Sequence, residues 1–157
     1  MTASEKKKLR EGILKTIGRL SIAEFKKSGK YYRANLHIAT ALCVCCFIDA
    51  MGKYIYGGQA DECKFKRFIE AYMPDFYKAL MDKAHREKAP EKEKYLTQFY
   101  GDVRCGLVHE YFPKSKTMIM SKKCKEVVFG NKQELKICLP ELIKQWQKGF
   151  GKAINDV

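Results

Sequence analysis

Apolar residues recur at helical spacing along most of the chain, and this pattern predicts a largely helical protein. Two helices are predicted in the first part of the chain, over residues 3–27 and 31–56. The second is the more apolar, so we expect it to be more deeply buried, and the glycines at 57–58 are typical of a helix end. The first helix has its apolar face at Leu9, Ile13, Ile17 and Leu20. The second has its predicted inward face at Leu36, Ala39, Cys43, Cys46, Phe47, Ala50 and Tyr54.

Prolines set the limits of the next two predicted helices. Residues from about 63 to 81 predict a shorter helix, and Pro74, which lacks a backbone donor, predicts a kink or break near Tyr72. The polar residues 81–94 predict a loop, and Pro90 suits the first turn of a fourth helix at about 91–111. The predicted inward residues are Phe65, Phe68, Ile69, Tyr72, Phe76 and Leu80 in the third helix, and Leu96, Tyr100, Val103, Leu107 and Tyr111 in the fourth.

Beyond Pro113 the pattern changes to short β-prone runs, TMIMS, KEVVF and QELKI. The turn sequence GNK at 130–132 separates the last two, so we predict a hairpin or a three-strand flap. Pro140 begins a last helix, whose apolar side is Leu142, Ile143, Trp146 and Phe150. These elements predict an all-α fold, an antiparallel bundle of four to five helices with a small β-hairpin or flap before the last helix. The chain has no repeat or linker, and residues 1–157 are expected to form one domain.

Composition excludes several classes of protein. Apolar residues make up 46%, and 11 glycines and 4 prolines are too few for a disordered or collagen-like chain. The seven cysteines match no disulfide framework, so free thiols and a cytoplasmic location are predicted. The N-terminal residues lack the apolar run of a signal peptide. The longest apolar run, HIATALCVCCFIDAMG, falls short of the ~20 residues that span a bilayer and contains Asp49, so we expect a core helix and no membrane association.

No metal or cofactor is expected. Cys43, Cys45, Cys46 and Cys63 could be metal ligands, but adjacent residues on a helix point in different directions and no C-x2-C pair occurs. Buried cysteines that act as small hydrophobic residues are the favoured interpretation. No glycine-rich loop for nucleotide phosphates is present either.

Positive charge is concentrated at the two ends of the chain. Residues 1–30 carry nine Lys or Arg against three acids, residues 31–112 carry twelve against eleven, and residues 113–157 carry ten against four. If the ends lie together, they form one surface that attracts polyanions such as RNA; the alternative is an ordinary solvated lysine surface. The candidate phosphate contacts are Lys6, Lys7 and Lys8 in the first helix, and Lys114, Lys116, Lys122, Lys123 and Lys125 around the flap.

Arg104 and His109 are the candidate chemical pair, within FYGDVRCGLVHEYFP at 99–113. On an ideal helix they point about 140° apart and lie about 7.5 Å apart along the axis, so one straight helix cannot direct both at one atom. Three arrangements would bring both side chains to one phosphate: a distorted helix end at Gly106, an Arg104 side chain that reaches around the helix, or a two-fold axis that brings two copies together. Asp102 is placed to orient the imidazole of His109.

Such a cleft suits RNA cleavage without a metal ion. RNA carries its own nucleophile, the 2′-hydroxyl; a histidine can act as general acid or base, and a guanidinium can stabilise the phosphorane. The alternative is structural: Arg104 pairs with Asp102, Glu110 or another helix, and His109 caps the helix end. Asp49 lies in an apolar helix and needs a partner, which is Arg104 or a backbone donor.

The segment YGDVRCGLVHEYF resembles the signature of the HEPN superfamily of small helical-bundle domains. The resemblance extends to IATALCVCCFIDAMGKYIYGG, FKRFIEAYM and KICLPELIKQW, and so covers about 36–150. It implies a homodimer in which two R-x4–6-H motifs face each other, as in metal-independent endoribonucleases that are often toxins. By position, the motif residues are Arg104 and His109.

One residue departs from the pattern of these nucleases. They usually place Asn, Asp or His directly after the arginine, whereas this chain has Cys105, and a thiol is a poor hydrogen-bond donor. Many members of the superfamily bind RNA or proteins without cleaving. The second hypothesis is therefore a non-catalytic RNA-binding or protein-interaction module, for example part of a toxin–antitoxin or defence system, with an antitoxin or another protein as its partner.

Overall fold

The structure is a computed structural model, and it describes residues 2, 4–5, 7–8, 11–12, 30–59, 61–110, 113–114, 117–120, 122, 124–131 and 134–156. Most of the predicted first helix lies outside these residues, and the described residues at 4–5, 7–8 and 11–12 are helical. A capping box begins this segment, since Thr2 Oγ1 accepts from the Glu5 N–H at 3.3 Å and Glu5 Oε2 accepts from the Thr2 N–H at 2.7 Å.

Two helices form the first described part of the core. Helix α1 spans Lys30–Tyr56, and the glycines at 57–58 end it with positive φ angles of 73° and 72°. Helix α2 spans Glu62–Tyr72 and begins at Asp61, whose carboxylate accepts the Lys64 N–H at 2.8 Å. The end of α1 and the start of α2 therefore lie where the local sequence predicts them.

Helix α3, Pro74–Arg86, has its proline in the first position, which confirms the predicted break. The predicted loop at 81–94 begins too early, because α3 continues and buries Lys83. Helix α4 spans Lys94–Gln98, so the predicted start at 91 is also wrong: Pro90 lies in a bend before the helix and not in its first turn.

Helix α4 passes directly into a π-helix at Phe99–Cys105, which is followed by α5 at Gly106–Glu110. The Gly106 N–H donates to the carbonyl of Gly101, five residues back, as a π-helix requires. The prediction of one regular α-helix over this region is therefore wrong in its geometry. The predicted inward residues Leu96, Val103 and Leu107 are buried.

Three strands form one small sheet: β1 at Thr117–Met120, β2 at Val128–Phe129 and β3 at Leu135–Cys138. β3 lies in the middle, antiparallel to β2 in the predicted hairpin and parallel to β1, a pairing that was not predicted. The sheet is not a detached flap, because the hydrophobic core includes residues from all its strands: Ile119, Val128, Leu135 and Ile137. Helix α6, Leu139–Asp156, follows β3 directly with Pro140 in its first turn, as predicted. The described part of the chain is thus mostly helical, with one small sheet.

Helix α1 enters the core through a face that differs from the predicted one. Among its described side chains, which begin at residue 37, the buried apolar ones are Ala41, Val44, Cys45, Ile48 and Met51, and the predicted inward side chain of Leu36 lies outside the described ones. The predicted inward residues Cys46 and Ala50 are exposed, and Tyr54 is 52% exposed. Because α1 is apolar on nearly all sides, spacing alone did not determine which side packs. In the other helices, the predicted faces include the buried residues Phe65, Phe68, Ile69, Phe76, Leu80, Leu142, Trp146 and Phe150.

Candidate functional site

An ion pair between α1 and the π-helix forms the centre of the candidate site. Arg104 Nε donates to Asp49 Oδ2 at 2.5 Å, and the two side chains are 21% and 10% exposed. Asp49 was predicted to need a partner, and Arg104 is that partner. Burial raises the pKa of Asp49, while the hydrogen bond and the charge of Arg104 act in the opposite direction. Asp49 Oδ1 is buried and has no hydrogen-bond partner among the described residues.

Asp49 occupies only one of the three guanidinium nitrogens of Arg104. Nη1 contacts the Cys105 sulfur at 3.8 Å, a weak interaction, and the guanidinium carbon lies 5.4 Å from the centre of the Tyr100 ring. Burial acts to lower the pKa of Arg104, but the hydrogen bond to Asp49 and its charge outweigh burial and raise the pKa above its ordinary value. The outer edge of a permanently charged guanidinium is therefore held in one orientation and retains hydrogen-bonding capacity for an anion.

Aromatic packing fixes the π-helix that carries Arg104. Phe99 contacts Phe76 at 5.0 Å and Phe65 at 5.8 Å between ring centres, and Tyr100 packs edge-on against Phe65 at 5.1 Å. These contacts anchor the segment on α2 and α3. Because a π-helix turns more widely than an α-helix, the straight-helix angle of about 140° between the two candidate residues does not apply here.

His109 lies in α5, at the end of the same continuous helical segment. It is exposed, and no hydrogen bond or ion pair joins it to another residue in the described ranges. Its neighbour Val108 is 36% exposed. The structure therefore places Arg104 and His109 on consecutive elements, the first anchored by an ion pair and the second open to solvent.

Asp102 does not contact His109 in the structure. Its Oδ2 accepts from Thr117 Oγ1 at 2.7 Å, and that hydroxyl in turn accepts from Gln98 Nε2 at 3.0 Å. The Asp102 carbonyl accepts the Lys114 N–H at 2.9 Å. Asp102 therefore connects the π-helix to the start of β1, and the predicted contact with the imidazole is not present.

The candidate phosphate-binding lysines are mostly at the surface. Lys7, Lys8, Lys122 and Lys125 are exposed, whereas Lys6, Lys116 and Lys123 lie outside the described residues. Lys114 is paired with Glu110 at 2.8 Å, and this hydrogen bond and charge raise the pKa of Lys114.

A buried lysine was missed by the sequence analysis. Lys83 is 2% exposed and donates to Glu87 Oε1 at 2.5 Å and to the carbonyls of Gly130 and Asn131, both at 3.2 Å. Tyr95 donates its hydroxyl to the other oxygen of Glu87. This network joins α3 to the turn of the β2–β3 hairpin. The spacing of Lys83 and Glu87, four residues apart, was the available sign that a helix continued there.

The cysteines are all free thiols. Cys45 is buried as predicted and Cys43 is half-buried, but Cys46 and Cys63 are exposed, so the prediction of buried cysteines is wrong for those two. Within the described ranges, no group of three or more His, Cys, Asp or Glu side chains could hold a metal ion.

One described helical stretch, His37–Tyr56, is long and apolar enough to cross a membrane: it has 20 residues and a mean hydropathy of 1.6. The prediction that this apolar run is too short is therefore wrong, because the helix continues beyond the glycine at position 52. Core helices of soluble proteins meet the same criteria. Only 44% of the most apolar stretch is buried inside the protein, which leaves an apolar surface on α1.

Comparison with models of protein families, with curated proteins and with solved structures finds no match to this chain.

Proposed function

We propose that this protein is a HEPN-like domain that binds RNA at Arg104 and His109 and, as a homodimer, cleaves it without a metal ion. One observation carries the proposal: Asp49 holds Arg104 through Nε alone. The guanidinium is thereby fixed in one orientation, and its two terminal nitrogens can donate to a phosphate. The same continuous helical segment also carries the exposed His109.

The chemistry uses the 2′-hydroxyl of RNA as the nucleophile. His109 acts as general base or general acid, and Arg104 stabilises the charge that develops on the phosphorane. The bond from phosphorus to the 5′-oxygen breaks, so the products carry a 2′,3′-cyclic phosphate and a 5′-hydroxyl. The reaction needs no metal ion, and thus it should proceed in EDTA.

A second copy of the chain would complete the cleft. Cys46 and Ala50 expose apolar surface on the helix that carries Asp49, and Val108 does so beside His109. A two-fold contact over this surface would bury it and bring two Arg104–His109 pairs together. The free thiols fit the predicted cytoplasmic location.

The test is cleavage of end-labelled RNA in EDTA, with histidine variants as matched samples. His109→Ala should abolish cleavage and leave the fold intact, since His109 is exposed and has no described partner. His85→Ala is the control, because His85 is also exposed and lies on α3, outside the proposed cleft. If His109→Ala cleaves as fast as wild type, the mechanism is wrong.

A non-catalytic RNA-binding or protein-interaction module is the second candidate, and two contacts favour it. Asp102 is bound to Thr117 and so does not orient His109, and the residue that contacts Arg104 Nη1 is Cys105, a poor donor. Such a module, for instance the partner of an antitoxin, would bind RNA in a salt-dependent way without cleaving it. Absence of binding to any polyanion at low salt would leave only a protein partner.

A further inference from the structure

Two cysteines outside the proposed cleft lie side by side at the end of the sheet. Cys124 precedes β2, and Cys138 is the last residue of β3. The Cys124 N–H donates to Cys138 Sγ at 3.2 Å. Both thiols approach one acceptor, the carbonyl oxygen of Lys122, at 3.1 Å from Cys124 and 3.5 Å from Cys138. Two free sulfurs therefore converge on one atom.

We propose that Cys124 and Cys138 form a dithiol site, which a low-molecular-weight disulfide such as oxidised glutathione converts to an intramolecular disulfide. The thiolate of Cys124 attacks one sulfur of the reagent, and a mixed disulfide forms as one small thiol leaves. Cys138 then attacks Cys124 Sγ, and the second small thiol leaves. In total, two protein thiols are oxidised, one small disulfide is reduced to two thiols, and no other reactant is needed.

The burial of the two sulfurs assigns their roles. Cys124 is half-buried and so can be reached by a small molecule, whereas Cys138 is buried and resolves the mixed disulfide. Backbone contacts hold Cys138 in place: it pairs with Met120 of β1, and its N–H donates to the Val127 carbonyl at 2.9 Å. The second step is therefore favoured by proximity.

Oxidation at this site should be slow at neutral pH. Burial, together with Cys138 and Glu141, raises the pKa of Cys124 to about 11, so little thiolate is present. The disulfide would close the loop from 124 to 138, which contains the exposed Lys125 and begins two residues after the exposed Lys122. Oxidation would thus restrain the backbone at one candidate phosphate contact and beside another.

The experiment equilibrates the purified full chain with oxidised glutathione and then alkylates the remaining thiols. A digest should contain one reducible cross-link within the protein, between the peptides of Cys124 and Cys138, whereas exposed thiols such as that of Cys63 carry glutathione or remain alkylatable. The Tm should rise by roughly 5–10 °C and return to its first value on reduction.

Serine variants separate this site from the other cysteines. Cys138→Ser and Cys124→Ser should each abolish the cross-link, and the second keeps the test valid if the buried substitution impairs folding. Cys63→Ser, which changes an exposed thiol on α2, should leave the cross-link unchanged. The proposal is overturned if all seven thiols remain alkylatable, if Cys124 stops at the mixed disulfide, or if the cross-link joins other cysteines.

Discussion

Replacing Arg104 with Ala should cost more stability than replacing Asp49 with Ala, because the two side chains differ in burial. The Asp49 side chain is 10% exposed and that of Arg104 is 21% exposed. Arg104→Ala leaves a buried carboxylate without a hydrogen-bond partner among the described residues, since Asp49 Oδ1 already has none. Asp49→Ala leaves a guanidinium that can reach water.

The magnitude lies between two limits. Breaking a fully buried ion pair costs about 3–5 kcal/mol, and an exposed pair contributes at most about 1 kcal/mol. For this partly exposed pair we expect a loss of about 2–3 kcal/mol for Arg104→Ala and about 1–2 kcal/mol for Asp49→Ala. The coupling free energy in a double-mutant cycle should be about 1–2 kcal/mol.

Urea unfolding of the wild type, both single variants and the double variant measures these values. Lys144→Ala is the matched surface control, because its ion pair with Glu141 spans 3.5 Å and its side chain is 60% exposed. The control should change the free energy of unfolding by less than about 0.5 kcal/mol. A coupling free energy between Asp49 and Arg104 of about 0.5 kcal/mol or less would show that this ion pair is no stronger than a surface pair, and would refute the argument from burial.

The deficit of Arg104→Ala should also depend on pH. Burial raises the folded pKa of Asp49 above its unfolded value, and removing Arg104 removes the two effects that lower it. A raised carboxyl pKa destabilises the fold above that pKa, and this penalty disappears as the pH falls through it. The deficit relative to wild type should therefore shrink toward acidic pH; a constant deficit would mean that another group is responsible.

Three further outcomes are expected. Lys83→Met should lower the free energy of unfolding in urea by about 2–3 kcal/mol, because it removes the cation from the half-buried Glu87 and the donor from the carbonyls of Gly130 and Asn131. A loss below about 1 kcal/mol would contradict this. Gly149→Ala should lower the free energy of unfolding by more than about 1 kcal/mol, since its new methyl group would overlap a backbone carbonyl at the α2–α3 junction. Gly101→Ala is the control: its methyl group would enter open space and should change the free energy of unfolding by no more than about 0.5 kcal/mol. Lys122→Ala should lower the salt dependence of RNA binding by about 0.7 in log–log slope if this lysine contacts a phosphate, and an unchanged slope removes it from the interface.

The sequence predicted helix faces well where one side of the helix is charged. The faces of α2 and α6 follow from the spacing of Phe65 and Ile69 and of Leu142 and Trp146, and these residues are buried. Helix α1 has no polar side, so helical spacing did not determine its buried face. Cys46 was predicted to face inward but is exposed, whereas Cys45 is buried.

Tertiary contacts account for what the sequence did not predict. Lys83 lies in a polar stretch that predicted an exposed loop. Its burial depends on the carbonyls of Gly130 and Asn131, which lie on a hairpin distant in the sequence. Neither the π-helix around Arg104 nor the parallel pairing of β1 with β3 has a local signal. In the candidate site, Arg104 was one of the predicted partners of Asp49, and the two side chains are hydrogen-bonded. Asp102 was predicted to orient His109, but it accepts a hydrogen bond from Thr117 instead.

The most direct test of the central claim is the single-turnover rate of RNA cleavage in EDTA by Arg104→Lys, compared with wild type. Lysine retains the positive charge but cannot bind Asp49 and a phosphate through one planar group. We expect wild type to cleave and the folded variant to lose about 10²-fold or more in rate. Cleavage by the variant at the wild-type rate, or no cleavage by the wild type, would contradict the role assigned to Arg104.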